Sequence, residues 1–234
     1  MAFQDRAQAG RELAKRLGGF ANRPGVIVLG IPRGGVPVAF EVAARLDAPL
    51  DVFIVRKLGV PAQEELAFGA IASGGIRFVD REIVEAAGIS DLQMERVTAK
   101  EKAELDRRER AYRGKRPPIP LAGKTVILVD DGIATGSSMQ AAINALRLAK
   151  PFRLVIAVPV APASTCRRLK REVDDLICIE VPESFYAIGE FYEDFSQVAD
   201  QEVTALLLKS MQKLATGVAR KEPPNDTHAV EDPK

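Results

Sequence analysis

Four aliphatic residues, Val126-Ile127-Leu128-Val129, run directly into two aspartates, Asp130 and Asp131, and then into Gly132-Ile133-Ala134-Thr135-Gly136-Ser137-Ser138. An unbroken apolar run of this kind suits a strand buried on both faces. Two carboxylates at its end would incur a desolvation cost without a ligand or partners, which argues against a surface turn with chance acids. Open α/β sheets bind their ligands at the carboxyl edge, where such a strand would deliver them. The turn leads into Met139, Ala142, Ile143 and Leu146, which recur at helical spacing. Free N–H groups at a helix start, with the dipole behind them, form an anion cradle. Gly136 lets the backbone approach a phosphate closely, and Thr135, Ser137 and Ser138 offer hydroxyls. Acceptors for a diol beside a phosphate cradle are what a ribose 5-phosphate needs.

The surrounding pattern predicts an α/β fold with a doubly wound, mostly parallel sheet. Residues 6–20 read as an opening helix, followed by the strand Val26-Ile27-Val28-Leu29 and the tight loop Gly30-Ile31-Pro32-Arg33-Gly34-Gly35. Ala39, Val42, Ala43 and Leu46 then mark a helix, and Asp51-Val52-Phe53-Ile54-Val55 a strand that ends at Arg56-Lys57. This is a βαβ unit, whose crossover is right-handed in nearly every known case. Further buried strands are expected at 126–129, 154–158 and 176–179, with a helix over 163–173 between the last two. Asp200 is placed to cap a final helix facing inward through Val203, Leu206, Leu207, Met211 and Leu214.

The middle of the chain departs from this rhythm. Residues 68–72 and 76–79 flank Ser73-Gly74-Gly75 as in a hairpin, and residues 80–116 are charge-dense and helical with sparse apolar positions. An insertion over about 68–118 is expected to stand over the sheet, the alternative being a solvated helix pair without a role. Residues 1–216 are expected to form a single domain, and the polar residues 217–234 a disordered tail.

Composition removes several chemistries. The chain has 234 residues, 33 Lys and Arg against 32 Asp and Glu, and a formal net charge of +1, so no global basic field exists to hold nucleic acid. The only histidine, His228, lies in the tail, which excludes catalysis by a positioned imidazole. Cys166 and Cys178 are too few for a zinc cluster and are expected as buried free thiols. No apolar run reaches the ~20 residues that span a bilayer, and no apolar signal segment opens the chain. A cytoplasmic protein without membrane or nucleic-acid partners is expected.

Motif detail narrows the field further. A nucleotide-triphosphate loop requires Lys after its last Gly, where this chain has Ser137 after Gly136, and G-x-G-x-x-G is absent from both glycine-bearing loops. The segment 126–138 resembles the signature of the type I phosphoribosyltransferases: four apolar residues, two acids, and a threonine- and glycine-rich phosphate loop. Ala134 stands where many members have Thr, and Ser138 replaces the usual closing Thr. The resemblance implies that Asp130 and Asp131 bind the ribose hydroxyls of phosphoribosyl pyrophosphate (PRPP), and that Ala134, Thr135, Gly136, Ser137 and Ser138 hold its 5-phosphate. It further implies Mg²⁺ as cofactor, met by Asp130 and Asp131 through the ribose or water.

The first loop then matches the family's pyrophosphate loop, with Arg33 forking onto phosphate oxygens and Gly34 and Gly35 exposing N–H groups. Taken alone, it is also a βα turn with an exposed arginine. Arg56 and Lys57 are expected at the same edge as a second cationic contact or as solvated charges. The family's mobile catalytic loop corresponds to somewhere within 58–78, near Glu64 and Glu65. Residues 183–195 gather aromatics where purine-type members build a hood over the base; Phe185 and Tyr186 are the candidates for stacking, aromatic packing being the alternative. The implied reaction moves the 5-phosphoribosyl group of PRPP to a purine-like base in a homo-oligomer, with Asp130, Asp131, Arg33, Arg56 and Lys57 as the catalytic set. The alternative is a non-catalytic PRPP or nucleotide sensor on the same scaffold.

Overall fold

The structure, a computed structural model, describes residues 2–61 and 63–219. In chain order the elements are α1 (Arg6–Arg16), β1 (Val26–Gly30), α2 (Gly35–Leu46), β2 (Leu50–Val52), β3 (Val55–Val60), β4 (Gln63–Ala72), β5 (Ile76–Val79), α3 (Arg81–Ala86), α4 (Asp91–Arg113), β6 (Thr125–Val129), α5 (Ser137–Leu148), β7 (Arg153–Val160), α6 (Ala163–Leu169), β8 (Asp175–Glu180) and α7 (Asp200–Ala219). Five strands form a parallel sheet in the order β2-β1-β6-β7-β8, and β3-β4-β5 form a separate antiparallel sheet. The doubly wound α/β architecture read from the sequence is therefore the one observed.

Period-two alternation divides the buried strands between two cores. Val26, Val28, Ile127, Val129, Val155 and Ala157 face one side, where α1, α2, α4 and α7 pack. Ile27, Leu29, Val126, Leu128, Leu154 and Ile156 face the other, covered by α5 and α6. Both sides being covered explains why these strands read as continuous apolar runs. Local signals start the helices: Asp5 accepts from the Gln8 N–H at 2.6 Å to cap α1, and Ser90 with Gln93 closes a capping box on α4.

Several boundaries differ from expectation. The strand expected over 51–55 stops at Val52, because the next backbone groups leave the parallel ladder. Phe53 N–H still reaches Gly30 O at 2.9 Å, but Ile54 exchanges two bonds with Ser73, its N–H donating to Ser73 Oγ and its carbonyl accepting from Ser73 N–H. The chain thereby switches sheets, and Arg56 and Lys57 lie in β3 instead of ending a strand of the main sheet. The hairpin at Ser73-Gly74-Gly75 is present, with both glycines at positive φ. The helix expected over 163–173 ends at Leu169. Asp200 is the first residue of α7 and not its cap; Ala199 O accepts the first helical bonds. α7 continues through Ala219, and residues 220–234, with His228, lie outside the described residues.

The insertion is anchored, not merely solvated. α4 buries Met94, Leu105, Tyr112 and Arg113. Arg113, with only 4% of its side chain exposed, donates from Nε to Asp51 Oδ1 at 2.9 Å and from Nη2 to Val52 O at 2.5 Å. Tyr112 donates its hydroxyl to Asp200 at 2.7 Å, and burial with that bond pushes its phenol up to about 12. Cys166 and Cys178 are free but half-buried; bonding between the two thiols draws Cys166 down to about 7 and pushes Cys178 up. No helix among the described residues is long and apolar enough to cross a membrane.

Candidate active site at the carboxyl edge of the sheet

β6 delivers Asp130 and Asp131 to the edge of the parallel sheet beside the end of β1, in register with it from Val26 to Gly30. The loop after β1 folds directly onto the acids. Ile31 N–H donates to Val129 O at 2.9 Å, and a Cβ on Gly34 would overlap the Asp131 carboxylate. A Cβ on Gly35 would lie 2.7 Å from Val129 O and 2.8 Å from Asp130 Cα. Two consecutive glycines are thus required by close approach of the loops, and the Pro32-Arg33 peptide between them and β1 is cis.

The two acids differ in environment. Asp130 accepts the Asp131 N–H on Oδ1 at 2.9 Å; burial, reinforced by the neighbouring Asp131 charge, pushes its carboxyl well above the usual range, with Arg6 opposing the rise. Asp131 has an ion partner: Arg6 Nε donates to Oδ2 at 2.8 Å, with 11% and 12% of the two side chains exposed. The Asp131 carbonyl accepts the Tyr192 hydroxyl at 2.5 Å, and burial drives that phenol upward. Neither Arg6 nor Tyr192 carries a local signal, since they stand 125 and 61 residues from Asp131.

The loop 134–138 is braced from behind by α6. Thr165 donates to Ala134 O at 2.9 Å, and Arg168 donates from Nη2 to Thr135 O and from Nη1 to Gln140 Oε1, both at 2.7 Å. Gly136 takes φ +79° immediately before α5, a conformation that favours glycine. Ala134, Thr135, Ser137 and Ser138 are exposed, and Thr135 Oγ1 lies 3.2 Å from Ser137 Oγ. Ser137 N–H turns back to Thr135 Oγ1 at 3.5 Å, so α5 starts from a supported loop at the helix end where anions are favoured.

Three cavities adjoin this edge. One of about 490 Å³ is lined by Thr135, Ser137, Asn144, Arg168 and Lys57. A second, about 280 Å³, lies between Ser138, Arg56, Lys57 and the α4 residues Lys100 and Glu101. Arg56 is paired there with Glu101 at 2.6 Å and remains partly exposed. The third, about 250 Å³, gathers Pro32, Arg33, Arg107, Arg108, Tyr112 and Asp200. Arg33 approaches Asp200 at 3.7 Å, and Arg107 and Arg108 share Glu104, pulling its carboxyl down to about 2.

The hood joins the start of the described chain to residues 185–195. Phe3 pairs with Tyr192, its N–H donating to Phe191 O and its carbonyl accepting from Glu193 N–H, both at 2.8 Å. Phe185 stacks on Phe191 with centroids 5.6 Å apart, while Tyr186 is 85% exposed and away from the ring cluster. Phe195 carries the Arg6 guanidinium over its face at 4.0 Å, and Ile188 would meet a Cβ on Gly132 at 2.6 Å. The hood thus rests on the acid loop.

A family model for the phosphoribosyl transferase domain matches residues 2–196. The chain belongs to that family. A Mycobacterium tuberculosis protein, Rv0571c, named only provisionally as a phosphoribosyl transferase, is 45% identical over 213 residues, which cover 91% of this chain and 48% of that protein. The chain therefore spans about half the length of its mycobacterial relative. The crystal structure of TT1426 from Thermus thermophilus matches with a TM-score of 0.81 at 41% identity, covering 89% of this chain and 99% of that one. The bifunctional protein PyrR of Chloroflexus aurantiacus is 33% identical over 131 residues, or 55% of this chain and 66% of that protein.

For a phosphoribosyl transferase the question of metal is posed by the donor set. Among the described residues no cluster of three or more His, Cys, Asp or Glu is arranged to hold an ion. Asp130 is partly buried and Asp131 buried, and their carboxylate oxygens are of the hard type that would meet a divalent cation through substrate oxygens or water.

Proposed function

We propose that the domain transfers the 5-phosphoribosyl group of PRPP to a nitrogenous, purine-like acceptor and releases pyrophosphate. One observation carries this reading: the Gly34-Gly35 loop packs directly on the Asp130-Asp131 pair, and the braced helix-start loop follows those acids at the same edge. The loop 134–138 receives the 5-phosphate on its N–H groups and hydroxyls, and the free oxygens of Asp130 and Asp131 accept the ribose hydroxyls. Arg33 leaves Asp200 for the departing pyrophosphate, with Arg107 and Arg108 lining the same cavity. Lys57, in β3, borders both cavities beside the phosphate loop and supplies positive charge there. The raised affinity of Asp130 for a proton suits it to take one from the acceptor nitrogen as the bond to the anomeric carbon forms. Mg²⁺, met by Asp130 and Asp131 through ribose or water, would neutralise the leaving charge. The hood and the β3-β4 hairpin exclude water from an oxocarbenium-like transition state. Since the hood rests on the acid loop, an acceptor bound beneath it would meet the ribose directly, and Phe185, held flat by Phe191, is the better stacking candidate than Tyr186.

The test is pyrophosphate release from PRPP and Mg²⁺ across a panel of nucleobases. Turnover with at least one base, lost in Asp130→Asn with Asp131→Asn, is the expected result; unchanged PRPP affinity in that double variant would remove the site assignment. The internal pairing of Asp131 with Arg6 and of Arg33 with Asp200 favours a second reading, a PRPP sensor whose ligand displaces these partners. Binding without turnover on any base selects the sensor.

A further inference from the structure

Arg6 opens α1, far in sequence from every loop motif, yet its guanidinium touches three parts of the site. Its Nε holds Asp131 Oδ2 at 2.8 Å, its Nη1 donates to the Ser196 carbonyl at 2.7 Å, and its plane covers Phe195 at 4.0 Å. The side chain is 11% exposed, so this is a desolvated, geometrically fixed contact and not a surface pair. The electrostatic need for it is local. Asp130 and Asp131 are consecutive, and a polyanionic phosphoribosyl donor must approach them; two uncompensated carboxylates would repel both one another and that donor. A guanidinium clamped on Oδ2 removes one charge and turns the other oxygen, Oδ1, into the acceptor that remains. Because the same guanidinium is bonded to Ser196 and stacked on Phe195, the orientation of Asp131 is joined to the hood. Tyr192, which donates to the Asp131 carbonyl from the hood, doubles the joint.

We infer that Arg6 is a positioning residue for PRPP: it neutralises and orients Asp131 for the ribose and links that carboxylate to the acceptor hood. This rests on the functional reading above. The experiment is calorimetric titration of the full chain with Mg²⁺-PRPP, using wild type, Arg6→Gln, Arg6→Lys, Arg6→Ala with added guanidinium, Asp131→Asn and the Arg6→Gln/Asp131→Asn double variant. Losing a charge-assisted contact of this kind should weaken PRPP binding ~10- to 100-fold in Arg6→Gln. Arg6→Lys and guanidinium-supplemented Arg6→Ala should regain part of that loss, which a purely structural role would not permit. In the Asp131→Asn background, Arg6→Gln should add little further loss, since the arginine acts through that carboxylate. Unchanged affinity in Arg6→Gln, absence of rescue, or an equal loss in both backgrounds would each overturn the inference while leaving the PRPP reading intact. Failure of the wild-type protein to bind PRPP would instead remove the functional reading, and this inference with it. Thermal unfolding of each variant, run alongside, separates lost binding from lost fold.

Discussion

Asp130 is the residue at which function and stability are most directly opposed. Its ordinary value is near 3.8, and burial beside Asp131 raises it well above that. The folded chain therefore holds more protons on this group than the unfolded chain does, and stability falls as pH rises from about 4 through the raised value. Asp130→Asn, which can still accept the Asp131 N–H, should unfold at a higher temperature than wild type at pH 7, the difference closing toward pH 4. Each kcal/mol gained corresponds to roughly 2–4 °C for a chain of this size. The same variant should bind PRPP poorly, a trade of fold stability against activity that calorimetry and titration would read together. Gly34 makes the complementary case by sterics. Its missing Cβ is the space that the Asp131 carboxylate fills, so Gly34→Ala should cost about 1–3 kcal/mol in urea unfolding and lower PRPP affinity. An unchanged unfolding midpoint would show that the two loops can separate without penalty.

At the scale of elements, α6 is a short helix whose contribution lies in what it holds. Thr165 and Arg168 satisfy the carbonyls of Ala134 and Thr135 and so fix the course of the loop ahead of α5. Thr165→Val keeps shape and removes the hydroxyl. It should cost about 1 kcal/mol of stability or somewhat more and weaken PRPP binding, whereas an unaltered affinity would mean the loop holds its form without the brace. How much of this arrangement can be read from the chain depends on the range of the interaction. β1, β6 and β7 are legible because their central residues are buried on both faces and so form unbroken apolar runs, while the edge strand β8 shows itself only through Leu176-Ile177-Cys178-Ile179. The segment from Asp130 to Ser138 is legible because its strand-turn-helix pattern is local. β3 is not: Val55-Arg56-Lys57-Leu58-Gly59-Val60 has neither a continuous apolar run nor clean alternation, and its pairing with β4 shifts register at Leu58-Gly59 and again at Gly59-Val60. Arg6, Tyr192, Thr165 and Arg168 escape for another reason. They are ordinary helix and loop residues until the fold brings them against a loop distant in sequence, and nothing in their neighbourhood distinguishes them.

Across the whole molecule, a buried ion pair secures the charge-dense middle segment to the parallel sheet. Arg113 meets Asp51, Glu109 and the Val52 carbonyl in a nearly closed environment, at the point where the chain leaves the main sheet for β3. Arg113→Met strands Asp51 without its partner and should destabilise the protein by about 3–5 kcal/mol in denaturant unfolding. Replacing both, Arg113→Met with Asp51→Leu, should recover part of that loss, because the cost lies in the stranded carboxylate. A small effect of the single change would show that the pair is hydrated in solution.

The pairing of Phe3 with Tyr192 has a practical corollary for handling this protein. An affinity tag spliced immediately ahead of Phe3 would emerge beside Tyr192 and crowd the segment proposed to receive the acceptor. A tag appended after α7 would start from the opposite rim, since Lys213 already reaches Ala44 near the far end of α2. If the proposed acceptor site is right, a front-tagged preparation should turn over more slowly than one tagged after α7, an effect that a side-by-side assay of the two would read.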